Sequence, residues 1–135
     1  TNLFNQFDKA LIRRFDSVID FNRYTREDLI DVAEVILNFY LTKFKSVGKN
    51  MRLFRKIIST MDTIPYPGDL KNIIKTSLAF SNANDEYDYL RRLYKTVSNN
   101  KNNDLTVLKE QGFTVREIEI LTGISKSQVG RELRG

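Results

Sequence analysis

Residues 112–133 read GFTVREIEILTGISKSQVGREL, and the punctuation of this stretch decides how the chain folds. Gly112 and Gly123 are stops, because glycine accepts the left-handed backbone that ends a helix. Between them, Thr114 followed three residues later by Glu117 forms a capping box, in which the cap and the acid each satisfy the other's backbone N–H. Ser125 opens a further helix. Val129 and Leu133 point inward from it, while Lys126, Ser127, Gln128, Gly130, Arg131 and Arg134 point outward. Two short helices joined by a glycine-containing turn make a helix-turn-helix. The residues from Leu105 add a helix that ends at Gly112.

A last helix of this kind fits a DNA major groove. Ser127 and Gln128 are placed for base edges, and Lys126, Arg131 and Arg134 for phosphates. The same shape also serves as a protein-binding or packing module. Residues 104–135 hold five basic and five acidic side chains, so no net charge favours DNA over that alternative.

Just upstream, SNNKNND (98–104) is polar throughout and has no apolar anchor, so the boundary between two units is placed there. Ahead of it the apolar spacing is helical. Thr25, with Asp28 three residues later, caps a long helix carrying Leu29, Val32, Ala33, Ile36, Phe39, Tyr40 and Phe44 at steps of three and four. That helix stops near Gly48. A second helix is expected over about 50–61, with Arg52, Arg55 and Lys56 on its solvent side. A third follows over 69–81, after an extended Pro65-Tyr66-Pro67-Gly68 turn, and a fourth carries Tyr87, Leu90, Leu93, Tyr94 and Val97. At the front, SVIDF (17–21) alternates as a short strand does. The expected fold is all-α. A four-helix bundle (25–97) is preceded by a short helix and strand (1–24), and a linker (98–104) leads to a three-helix domain (105–135).

Composition narrows the chemistry. With 135 residues, 41% hydrophobic and 29% charged, the chain can bury a core, and its longest apolar run is far too short to span a membrane. Cysteine and histidine are both absent, which removes disulfides, cysteine nucleophiles, zinc sites of the Cys/His kind and histidine acid–base chemistry. A cytoplasmic location fits the lack of cysteine. The net charge of +5 is spread along the chain. The chain opens at Thr1 and reads as a fragment of a longer protein.

Two resemblances carry the functional expectation. The run G-I-S-x-S-x-V-x-R-x-L (123–133) resembles helix-turn-helix domains of bacterial regulators and recombinases, with Glu119 standing where that family usually has a small residue. The opening T-N-x(5)-D-x-A-L-x-R-R-F-D-x-V-I-x-F (1–21) resembles the end of the nucleotide-binding domain of AAA+ ATPases. The T-x-E-D-L start and Pro67-Gly68-Asp69-Leu70-Lys71 resemble the helical lid of the same family. The resemblance places Asn2 at the nucleotide-binding sensor 1 position, which orients the attacking water near the γ-phosphate. It places Arg13 and Arg14 in the arginine-finger region, acting catalytically on a neighbouring subunit's nucleotide. At the sensor 2 position it offers Lys71 under one alignment, or Gly68 with no cation under another.

By the same resemblance the parent protein would use ATP and magnesium, assemble with copies of itself, and reach duplex DNA through its tail. No G-x-x-x-x-G-K-[ST] loop and no strand ending in an acidic pair occur in this chain, so the fragment alone is expected to bind no cofactor and to be inactive as an ATPase. Those elements are expected upstream of Thr1. A non-enzymatic DNA-binding regulator, and an adaptor whose tail binds protein, stand as the alternatives.

Overall fold

The protein is described by a computed structural model over residues 24–44, 47–100 and 103–134. These residues form helices and no strand, in agreement with the all-α expectation. Asn2, Arg13, Arg14, the front helix and the expected strand at 17–21 lie outside the described residues.

Helix α1 (Arg26–Leu41) begins as its sequence dictates: Thr25 Oγ1 accepts from the Asp28 N–H at 3.0 Å, and Asp28 Oδ2 accepts from the Thr25 N–H at 2.9 Å. One broad face, from Leu29 to Tyr40, is buried. Helices α2 (Met51–Ser59) and α3 (Pro67–Ala79) both pack on α1, and α4 (Asp88–Val97) closes the bundle by packing on α2 and α3. Asn50 caps α2 by accepting from the Leu53 N–H. Arg26, at the start of α1, donates to the Ser59, Met61 and Asp62 carbonyls, which satisfies oxygens left open at the end of α2.

Boundaries differ from the sequence reading at three places. Helix α1 ends at Leu41, with Thr42 as its C-cap, and does not run through Phe44 to Gly48. Pro67 and Gly68 belong to α3, with Pro67 at the first helical position, where its missing N–H costs nothing. The extended segment therefore ends at Tyr66. In α4 the deeply buried aromatic is Tyr89, while Tyr87 is half-buried at the helix start. Tyr89 donates its hydroxyl to the Gly48 carbonyl at 2.7 Å, and burial pushes its pKa well above the usual phenol value. The Gly48 N–H in turn donates to the Glu86 carbonyl at 2.8 Å. A Cβ at position 48 would stand 2.7 Å from the Tyr87 ring, so only glycine allows this close approach.

The remaining helices are short: α5 (Leu105–Glu110), α6 (Val115–Thr122) and α7 (Lys126–Arg134). Gly112 (φ 95°) and Gly123 (φ 78°) turn the chain between them in the left-handed region that favours glycine. Leu108, Phe113, Ile118, Leu121 and Val129 fill the space they enclose. The two ends of the polar segment before them are tied to each other. Asn100 accepts from the Asp104 N–H and donates to the Asp104 carbonyl, and Ser98 is buried. Among the described residues no helix is long and apolar enough to cross a membrane.

Candidate nucleic-acid interface

The geometry of α7 follows from three local devices. Gly123 ends α6 and donates its N–H to the Glu119 carbonyl at 2.8 Å. Ser125 Oγ accepts from the Gln128 N–H at 3.2 Å, the N-cap bond expected from its position. Glu119 Oε2 accepts from the Lys126 N–H at 2.7 Å. The side chain that breaks the resemblance thus has a structural role, since it crosses the turn and caps the helix that follows.

With Val129 buried and Leu133 half-buried, the opposite face of α7 is open to solvent. It carries Lys126, Ser127, Gln128, Arg131 and Arg134, all exposed. Gln128 donates from Nε2 to Glu132 at 3.2 Å, and Arg134 donates from Nε to the Gly130 carbonyl at 3.0 Å. The face is cationic toward the C-terminal end. At the N-terminal end, the positive pole of the helix dipole already holds the Glu119 carboxylate. Any phosphate contact here therefore falls to the side chains, and the free amides of the first turn contribute less.

The tail's seating on the bundle has no local signature in the sequence. Lys56 Nζ on α2 reaches Glu117 Oε1 at 2.6 Å and the Gly112 carbonyl at 3.1 Å. Arg91 on α4 donates from Nε to the Ile120 carbonyl at 2.6 Å. Tyr94 donates to Gln111 Oε1 at 2.6 Å, and its ring meets Phe113 edge-on at 5.7 Å between centroids. Glu117 accepts from the Thr114 N–H at 2.8 Å as the capping box requires, so one carboxylate serves both the cap and the bridge. Burial opposes its ionisation. The Lys56 ammonium and the Thr114 N–H outweigh that penalty, and its pKa lies below the ordinary carboxyl value. The helical period puts Lys56 on the solvent side of α2. That side faces solvent for the bundle alone, but the tail covers it.

Lys71 stands apart from this face. It lies one turn into α3, half-buried, on a helix that packs on α1 and α4. One lysine does not make a nucleotide site, because a triphosphate with its metal needs a backbone cradle and acidic ligands. Among the described residues no group of three or more metal-ligating side chains comes together. The described residues do not fit ATP and magnesium by themselves, and no chemical step is assigned to them. Comparison of the chain with known protein families, curated proteins and solved structures gives no match.

Proposed function

We propose that residues 105–134 are a helix-turn-helix that binds duplex DNA, with α7 as the groove-reading helix, and that the chain is the C-terminal part of an AAA+ ATPase. The observation that carries the DNA reading is the exposed face of α7, where Lys126, Arg131 and Arg134 flank Ser127 and Gln128, with Glu132 beside Gln128. Cations on such a face bind phosphates regardless of sequence, and an amide such as that of Gln128 discriminates adenine edges. The ATPase reading rests on the opening run with Asn2, Arg13 and Arg14, and on the lid resemblance of the bundle with Lys71. In it, ATP and magnesium are held by the upstream part of a self-assembling protein, and the tail brings that assembly to DNA.

The test of the DNA reading is fluorescence anisotropy of a labelled duplex with the whole 135-residue chain over a salt series. Binding is expected at about 50 mM salt with a steep loss as salt rises. Arg131→Ala and Arg134→Ala should each weaken binding to every sequence and lower the salt slope by about one, while Gln128→Ala should change sequence preference. A chain that ignores duplex DNA at low salt overturns the reading and favours a protein-binding tail. For the ATPase reading, Arg13→Ala or Arg14→Ala in the longer protein should cut turnover while nucleotide binding persists. Unchanged turnover in both variants would refute it.

A further inference from the structure

We infer that the phosphate-contacting surface does not end with the tail but continues onto the bundle through Arg52 of α2. The inference rests on the DNA reading above and names a residue that the sequence motif does not reach. On the outer face of α2, Arg52, Arg55 and Lys56 lie three and four residues apart and therefore side by side. Two of the three are already committed. Arg55 is ringed by Asp31 at 3.0 Å, Glu34 at 3.3 Å and Glu27 at 3.7 Å. Lys56 is held by Glu117 and the Gly112 carbonyl. Arg52 is exposed, and its guanidinium makes no ion pair or hydrogen bond among the described residues.

Its position makes that freedom informative. Arg52, Lys56 and Gln111 line one open cleft of about 440 Å³, where α2 meets the turn between α5 and α6. Arg52 is thus about one helical turn, roughly 6 Å along the axis, from a lysine that touches the start of α6. When a helix-turn-helix docks, its second helix enters the groove and its first helix crosses the sugar–phosphate backbone. The first helix here is α6, and the cation beside its start belongs to the bundle. The charge balance agrees. Residues 104–135 are neutral on their own, and Lys56 of the bundle neutralises Glu117, so positive charge comes to the tail from the bundle.

The experiment is the same salt series with Arg52→Gln and Arg52→Glu in the whole chain. Lys75→Gln on α3, the helix that packs on α1 and α4, is the control. Arg52→Gln should lower the salt slope by about one and leave sequence preference unchanged. Over a fourfold rise in salt, loss of one such contact changes the fall in affinity by about 3- to 4-fold. Arg52→Glu should have the larger effect, and Lys75→Gln none. Thermal unfolding of Arg52→Gln should match the unsubstituted chain, because the side chain is exposed and has no partner among the described residues. If Arg131→Ala weakens binding while both Arg52 variants keep the original affinity and slope, the extension onto the bundle is wrong and the DNA reading stands. If the unsubstituted chain does not bind at low salt, both fall together.

Discussion

The bundle and the tail differ in what encloses them. The bundle contributes most of the large buried side chains, among them Tyr40, Phe54, Ile57, Leu70, Tyr89 and Leu90. The tail buries Leu108, Phe113, Ile118, Leu121 and Val129 of its own and completes the enclosure with Tyr94, Lys56 and Arg91 from the bundle. Size explains the difference. A unit of about thirty residues falls below the roughly 40 at which a chain commonly stabilises itself without outside help. The tail is therefore seated as well as folded by its neighbour, and the direction in which α7 faces is set by contacts on α2 and α4.

The sharpest way to break this dependence is Phe113→Ala. Phe113 is almost wholly buried and meets Tyr94 edge-on, so its loss should cost about 3–5 kcal/mol. Hydrogen exchange should show the amides of α5–α7 losing protection while those of α1 keep it. Equal loss in both regions would show that tail and bundle unfold as one.

Next comes Lys56→Ala, expected to cost about 1.5–3 kcal/mol because it strands the buried Glu117 carboxylate. Pairing it with Glu117→Gln should give a combined loss smaller than the sum, measured by denaturant unfolding. The pH dependence has a definite sign. The fold lowers the Glu117 pKa, so it favours the ionised form. The contribution is complete above the ordinary value of 4.5 and is lost as pH falls through the lowered one. In the Glu117→Gln chain that part of the acid sensitivity should vanish. The smallest expected effect is that of Gly123→Ala, about 1–2 kcal/mol, from forcing a Cβ into the left-handed region. Its thermal midpoint should fall modestly, with nearby space open enough that no clash adds to the cost.

The same contrast governs what is legible from the residues alone. The capping boxes at Thr25–Asp28 and Thr114–Glu117 are legible because cap and partner lie three residues apart, and the structure forms both. The exposed face of α7 is legible for the same reason, since helical period alone sorts Val129 from Arg131. Pro67 reads as part of a turn because proline usually interrupts a helix, yet the first helical position tolerates it. Aromatic spacing points to Tyr87 where the structure buries Tyr89, because α4 begins later than that spacing implies. The Lys56–Glu117 bridge spans 61 residues, and no local pattern announces such a pair. Glu119 stands out as a misfit from its neighbours, but its use depends on where the fold places the Lys126 N–H.

Two of the ties that seat the tail end on main-chain oxygens, those of Gly112 and Ile120. A carbonyl is present whatever amino acid occupies the position. Mutation can therefore rewrite much of the outer surface of α7 without loosening the mounting that aims it. The scaffold and the exposed helix face are free to evolve at different speeds.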